Sequence, residues 1–176
     1  RQADEVANNG WGFVVYTKDT NFADMSAAIY EDVRYHVAWG YTSTTVASGF
    51  LNVNGVAGTV NAGSALPVGI FAAPMVMTFG APTVGGLEYV LDEIRIWSDG
   101  RTAAELAATR DRELNAAELA DPNLIGYWRL NDGVGNIVRD LSANRNHGHW
   151  NGTGPCYDTG LVPVQDAGYS IRFNGY

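Results

Sequence analysis

Short apolar segments with strict two-residue alternation constrain the fold of this chain more than any other feature. In "DVRYHVAW" (residues 32–39), every second residue from Val33 to Trp39 is apolar, and the residues between them are polar or small. This period is typical of a β-strand with one buried face. Strands are also predicted in four further segments: "GFLNVNGVAGTV" (49–60), "MVMTFG" (75–80), "EYVLDEIRIW" (88–97) and "SIRFNGY" (170–176).

Turn and cap chemistry separates these strands. Asn54-Gly55 is a dipeptide that favours a tight hairpin, because both residues tolerate a positive φ. Thr102 and Glu105 form a capping box that predicts a helix to about Leu114, and the stretch "NAAE" (115–118) repeats the device. Pro122 ends the second short helix. The patterns predict an all-β, antiparallel protein with one short helical hairpin.

Composition limits the classes of protein and partner. With 176 residues, 46% hydrophobic and 17% charged, the chain is predicted to form one globular domain over residues 1–176. Its net charge of −8 argues against a nucleic-acid partner, which needs clustered cations. No apolar run approaches the ~20 residues that cross a bilayer, so membrane insertion is not expected. Because no initiator Met precedes Arg1, we expect a trimmed or excised piece of a longer polypeptide.

Several motifs together resemble the concanavalin A-like, laminin-G-like jelly-roll family over roughly Asp32 to Tyr176. "LDEIRIWSDGRTAAEL" (91–106) is the most specific of them, since it is similar to the family's strand that runs into a short helix. The others are "VRYHVAWGY", "GFLNVNGV", "LIGYWRLNDGVGNIVRDLSANRNHGHW" and "SIRFNGY". The resemblance implies an antiparallel β-sandwich of the concanavalin A-like jelly-roll type.

The order of these motifs differs from the family's order. Residues 123–176 resemble the family's leading strands but come last here, and the strand that normally follows them, ending in "saWvkp", is not recognisable. One explanation is a circular permutation in which an atypical early segment, such as "NFADMSAAIY" (21–30), fills the gap. The other is completion of the sheet by a neighbouring polypeptide through strand addition.

One loop has side-chain oxygens at every second residue. They belong to Asp140, Ser142, Asn144 and Asn146. Such a loop can wrap around Ca²⁺, which takes six to eight oxygen ligands. The family resemblance implies a structural Ca²⁺ in some members, held by this loop and by the residue that is Asp92 here. The alternative is that these residues bond their own backbone in turns.

Aromatic residues in Gly/Asn-rich stretches are candidates for sugar contact. Trp150 and Tyr157 lie in "HWNGTGPCYD" (149–158) with Asn151 as a polar neighbour, and Trp11 follows "NNG". Exposed rings of this kind can stack on the C–H faces of sugars. The alternative is that they pack over the ends of the sandwich. Three further tryptophans lie in strongly apolar strands and are predicted to belong to the core: Trp39, Trp97 and Trp128.

Catalysis is not expected from this sequence. The same broad fold includes β-glucanases, whose retaining chemistry needs two carboxylates about 5 Å apart. If residues 88–97 form one strand, Val90 occupies the position between Glu88 and Asp92, and Glu93 points to the opposite face from Asp92.

The expected function is a non-catalytic carbohydrate-binding or adhesion module of an extracellular, cell-surface or virion protein. The alternative is a structural module for protein–protein assembly, as in a phage tail, capsid decoration or surface array. The expected partner is correspondingly a glycan or a neighbouring protein subunit. The fold alone does not decide between them, because jelly-roll sandwiches have many functions.

Overall fold

The structure is a computed structural model that describes residues 10–16, 22–28, 34–41, 49–57, 59–61, 89–150, 156–159 and 169–173. It divides the chain into two compact units, residues 1–76 with 102–106 and residues 77–101 with 107–176. The described residues form mostly strands, with two short helices, and every pair of neighbouring strands is antiparallel. The predicted all-β class with a helical excursion is therefore confirmed.

The first unit contains two three-stranded sheets, in the orders β1-β2-β6 and β3-β4-β5. The strands are β1 (Gly10–Tyr16), β2 (Phe22–Ala28), β3 (Val37–Tyr41), β4 (Gly49–Val53), β5 (Val56–Ala57) and β6 (Thr59–Asn61). The early segment "NFADMSAAIY" thus supplies a strand, β2, that pairs on both sides. Circular permutation and completion by a neighbour both stay predictions.

The predicted hairpin at Asn54-Gly55 is confirmed. Both residues have positive φ angles, 53° and 89°, as the tight two-residue turn requires. The backbone N–H of Asn54 donates to the carbonyl of His36 (2.9 Å), and the N–H of His36 donates to the side-chain Oδ1 of Asn54 (2.8 Å). His36 precedes β3, so within the described residues the strand predicted over residues 32–39 begins at Val37.

One face of the β3-β4-β5 sheet is apolar. Trp39 lies directly opposite Leu51, and Leu51 is buried. Trp39 itself is 45% exposed, so its predicted place in the core is wrong. β3 is an outer strand of this sheet among the described strands.

The second unit contains the remaining strands and most of the helical hairpin. The strands are β7 (Tyr89–Leu91), β8 (Ile94–Trp97), β9 (Leu124–Trp128), β10 (Ile137–Val138), β11 (Gly148–His149), β12 (Cys156–Thr159) and β13 (Tyr169–Phe173). They form the sheets β12-β13-β7, β8-β9 and β10-β11. The strand predicted in "SIRFNGY" is confirmed as β13, whereas "MVMTFG" lies outside the described residues.

The segment "EYVLDEIRIW" is not the single strand that its alternation predicts. It breaks after Leu91, and Glu93 takes a left-handed backbone with φ of 55°. β7 pairs with β13, whereas β8 pairs with β9. The two-residue alternation therefore does not continue from Val90 through Glu93. Glu93 lies at the break, and its carboxylate accepts hydrogen bonds from the side chains of Arg95 and Tyr127.

Both capping boxes are present. Thr102 and Glu105 exchange side-chain and backbone hydrogen bonds before α1 (Ala103–Thr109), and Asn115 and Glu118 do the same at α2 (Ala116–Leu119). The first helix ends at Thr109 rather than near residue 114. The Arg95 guanidinium donates hydrogen bonds to the backbone carbonyl of Thr109, at 2.8 Å, and to that of Arg112.

The core of the second unit lies around β9, α2 and the segment that precedes α2. Leu114, Leu124 and Tyr127 are almost completely buried there. Partly buried side chains pack against them: Trp97, Leu119 and Leu141. Burial of these groups fixes the position of β9, which carries the polar features described next.

Candidate functional site

Asp140 is the centre of the oxygen-rich loop. It is completely buried, and its Oδ1 accepts hydrogen bonds from the backbone N–H groups of Tyr127 (2.9 Å) and Ser142 (2.8 Å). Its Oδ2 accepts from the N–H of Asn146 (2.7 Å) and from the Ser142 hydroxyl (2.9 Å). Burial by itself raises the pKa of Asp140, but these donors together outweigh it, so the pKa lies below its usual value. The carboxylate is therefore held in its charged form by four donors.

The rest of the loop is attached to β9. The side-chain amides of Asn144 and Asn146 donate to the carbonyl of Ile125 at 3.1 and 3.3 Å. The backbone N–H of Asp140 donates to Nδ1 of His147 at 3.0 Å, so the neutral ring carries its proton on Nε2. These bonds make residues 140–147 a compact unit of turns on one strand.

This arrangement bears on the predicted calcium site. The structure brings Asp140, Ser142, Asn144 and Asn146 together, but Asp140, the only charged member, turns all its accepting capacity to N–H and O–H donors. A cation needs those lone pairs, so the loop as arranged does not fit Ca²⁺ and favours the turn interpretation. Asp92 lies at the break between β7 and β8. Calcium binding stays a prediction.

Among the described residues, no group of three or more His, Cys, Asp or Glu side chains is placed to hold a metal ion. The other oxygens of the loop belong to Ser and Asn side chains, so its fit to calcium depends on the hydrogen bonds of the loop itself.

The predicted sugar-contacting residues are distributed over both units. Trp11 lies in β1 of the first unit, opposite Ala27, and Tyr157 lies in β12 of the second, opposite Ile171. Asn151 lies outside the described residues. Trp150 is half-buried and follows β11, and its backbone N–H donates to the carbonyl of Asn136 at 2.9 Å.

Asn136 is part of an open cleft of about 470 Å³ that the sequence did not predict. The cleft is lined by Arg129, Leu130, Asn131, Asp132, Val134, Gly135, Asn136, Ile137, Arg139 and Leu141. A signal for it exists in the run "NDGVGN" (131–136), where amide and carboxylate groups alternate with glycine. That run, however, reads equally well as a plain turn.

The walls of the cleft are fixed by local hydrogen bonds. β10 pairs with β11 behind it. Gly133 and Gly135 take φ angles of 69° and 88°, which let the loop reverse. Oδ2 of Asp132 accepts the backbone N–H of Arg139 at 3.1 Å, closing the loop on itself. Val134 is 80% exposed at its tip.

A second polar cluster lies beside the cleft around Glu93. Its carboxylate accepts from the Arg95 guanidinium (2.6 Å) and the Tyr127 hydroxyl (2.7 Å). Arg129, a cleft residue, forms ion pairs with Glu93 (3.8 Å) and Glu113. Burial, followed by the hydrogen bond to Glu93, raises the pKa of Tyr127. The charge of Arg129 is thus already balanced within the protein.

Trp128 links β9 to the oxygen-rich loop. Its indole Nε1 donates to the carbonyl of Asn146 at 3.0 Å. The ring lies over Gly126, where an added Cβ would stand only 2.2 Å from the indole. Trp128 is half-buried, and its ring covers the outer side of the strand rather than filling the centre of the core.

Comparisons with known proteins do not assign this chain to a family. No protein-family model, curated protein or solved structure matches it. Among the described residues, no helix is long and apolar enough to cross a membrane.

Proposed function

We propose that this chain is a non-catalytic carbohydrate-binding or adhesion module of an extracellular, cell-surface or virion protein. We further propose that its strands belong to a concanavalin A-like, laminin-G-like jelly-roll sandwich. The antiparallel strand pairs and the sequence motifs support this finer fold. The observation that carries the function is the cleft beside β9 and β10.

The size and lining of the cleft are compatible with a sugar. Its volume of about 470 Å³ lies within the range of small-molecule sites. Asn131, Asp132, Asn136 and Arg139 offer hydrogen-bond donors and acceptors to hydroxyl groups. Ile137 is 48% exposed and offers an apolar surface for the C–H groups of a ring. Binding would therefore depend on hydrogen bonds more than on aromatic stacking.

The same lining supports binding without catalysis. Glycoside hydrolysis by the usual route needs two carboxylic groups on opposite sides of the scissile bond. Of the residues that line the cleft, Asp132 alone carries a carboxylate, and its Oδ2 accepts the backbone N–H of Arg139. A sugar held there would meet one acid rather than a pair.

A glycan array with the full chain tests the proposal, followed by saturation-transfer NMR on each hit. We expect specific hits whose signals are lost in Arg139→Ala. Arg110→Ala is the matched control, since Arg110 is a partly exposed arginine outside the cleft, paired with Asp111. An array without specific hits overturns the proposal, and so does equal loss in both variants.

The assembly alternative is favoured by a different observation. Trp39 and Val56 are 45% and 70% exposed on one apolar face of the β3-β4-β5 sheet. Exposed apolar side chains on one sheet face can contribute to a protein–protein contact. Light scattering after size-exclusion chromatography distinguishes the two: an ordered oligomer that Trp39→Ser dissociates, with a silent glycan array, favours assembly. A stable monomer near 18.9 kDa argues against it and against completion by a neighbouring chain.

A further inference from the structure

Asp132 and Arg139 face each other in the cleft without closing on each other. The backbone N–H of Arg139 donates to Oδ2 of Asp132, but the Arg139 side-chain Nε lies 3.7 Å from the Asp132 Oδ1, too far for a direct hydrogen bond. The Arg139 side chain is 74% exposed, whereas that of Asp132 is 15% exposed. The two groups are too close for one oxygen to lie between them in good geometry, so they form two neighbouring hydrogen-bonding points, one accepting and one donating.

The charges of the cleft cancel. Arg139 is balanced by Asp132, and the other lining arginine, Arg129, is balanced by Glu93 and Glu113. Arg95 shares Glu93, so two arginines are opposed by two glutamates in that cluster. The whole chain carries a net charge of −8. An anionic ligand would therefore find no net attraction here, and it would face the carboxylate of Asp132 at close range.

The two side chains are complementary in hydrogen bonding. An ionised carboxylate only accepts, and a guanidinium only donates. A hydroxyl group does both. Two hydroxyls on adjacent carbons can therefore donate to Asp132 and accept from Arg139 at the same time, whereas a single hydroxyl would have to bond both groups at a strongly bent angle, because they stand only 3.7 Å apart.

We infer that the cleft selects an uncharged saccharide through two adjacent hydroxyls, with Asp132 as the acceptor and Arg139 as the donor. The inference rests on the proposed carbohydrate-binding function and adds to it the class of sugar. Asn136 and Ile137 also line the cleft, where they offer a further amide and an apolar surface.

The test is titration of the full chain, followed by NMR or calorimetry. The probes are the methyl glycosides of glucose, galactose and mannose, the uronate of each, and deoxy analogues lacking one hydroxyl of a neighbouring pair. We expect at least one neutral glycoside to bind, with its uronate and one deoxy analogue weaker by about tenfold or more, as expected for a lost or opposed charged hydrogen bond.

Variants of the pair give a second measure. Arg139→Gln should weaken the neutral sugar about tenfold, while Arg110→Gln leaves it unchanged. Asp132→Asn should narrow the gap between the uronate and the neutral sugar, a change that a purely structural role would not produce. Melting curves of each variant report whether the loop still folds, and Arg139→Gln, at an exposed side chain, keeps the test valid if Asp132→Asn unfolds.

The outcomes separate the two proposals. Binding of the uronates as tightly as the neutral sugars overturns this inference and leaves the carbohydrate-binding function in place. The same holds if Arg139→Gln and Arg110→Gln behave alike while sugars still bind. If none of the saccharides bind and the array is silent, the proposed function fails and this inference fails with it.

Discussion

Two acids bonded to Tyr127, the buried Asp140 and the partly buried Glu93, are satisfied in different ways. Asp140 accepts three backbone N–H groups and one hydroxyl, whereas Glu93 bonds the side chains of Arg95 and Tyr127 and pairs with Arg129. Backbone donors cannot be removed by substitution, so the Asp140 loop depends on one side chain. The Glu93 cluster depends on every member, because removing any partner leaves a buried charge less well compensated.

Tyr127 belongs to both arrangements. Its backbone N–H bonds Asp140 and its hydroxyl bonds Glu93, so one residue of β9 connects the oxygen-rich loop to the break between β7 and β8. We therefore expect removal of the Asp140 carboxylate to lower the free energy of unfolding most. Removal of a single contact in the Glu93 cluster should lower it less.

The largest effect is expected for Asp140→Ala. The substitution leaves the N–H groups of Tyr127, Ser142 and Asn146 without their acceptor. Each buried donor left unsatisfied costs about 1–3 kcal/mol, so we expect about 3–5 kcal/mol or failure to fold. Urea denaturation measures it, with Asp111→Ala as an exposed control near zero. A loss below 1 kcal/mol would contradict the central role of Asp140.

A smaller loss is expected for Gly126→Ala. The new Cβ would overlap the Trp128 indole, which must move and give up its bond to the Asn146 carbonyl. We expect about 2–3 kcal/mol from overpacking and the lost hydrogen bond. Gly148→Ala is the control, since its Cβ would meet Val138 at 3.6 Å, an ordinary contact. Equal denaturation midpoints for the two variants would show that the indole is not held there.

Tyr127→Phe tests the Glu93 cluster alone, because the backbone bond to Asp140 is kept. We expect the free energy of unfolding to fall by about 1–3 kcal/mol at neutral pH. The raised pKa of Tyr127 means that its contribution is present below pH ~10, the usual tyrosine pKa, and is lost as pH rises through the folded pKa. The variant should therefore lose less stability than the wild type above pH ~10. Parallel alkaline stability curves would be the contrary result.

A smaller effect on stability is expected for Glu118 at acid pH. Its hydrogen bond from Arg112, partly offset by burial, lowers its pKa from 4.5 to about 2. Its contribution is present above pH 4.5 and is lost as pH falls towards 2, because the unfolded chain binds the proton first. Glu118→Gln should flatten the stability curve over that range by about 1 kcal/mol, a value reduced by solvent screening. Unchanged curvature in the variant would contradict the pairing.

The smallest effect concerns calcium. The hydrogen bonds of Asp140 predict coincident thermal melts in Ca²⁺ and in chelator, since no lone pair of that carboxylate is left for a cation. The oxygen spacing by itself predicts a rise of several degrees in Ca²⁺, through binding to the native state. Differential scanning calorimetry decides between the two, and a shift would restore the calcium interpretation.

Local chemistry was predictable from the sequence because its causes lie within a few residues. The Asn54-Gly55 turn depends on two φ angles, and the capping boxes at Thr102 and Asn115 depend on partners three residues away. Strand β13 follows in the same way from a short alternating segment. The oxygen-rich character of residues 140–146 was visible for the same reason.

The features that the sequence patterns did not predict depend on residues far apart in the chain. The bond between Glu93 and Tyr127 joins residues 34 apart, and it accompanies a left-handed backbone that alternation does not reveal. One donor to Asp140, the backbone N–H of Tyr127, lies 13 residues away on β9. This bond favours a hydrogen-bonded turn over a metal-binding loop, although both have the same oxygen spacing. Trp39 is 45% exposed, although its pattern is that of a core residue. Side-chain periodicity specifies which face a residue occupies, but only packing specifies what covers that face and which donors reach it.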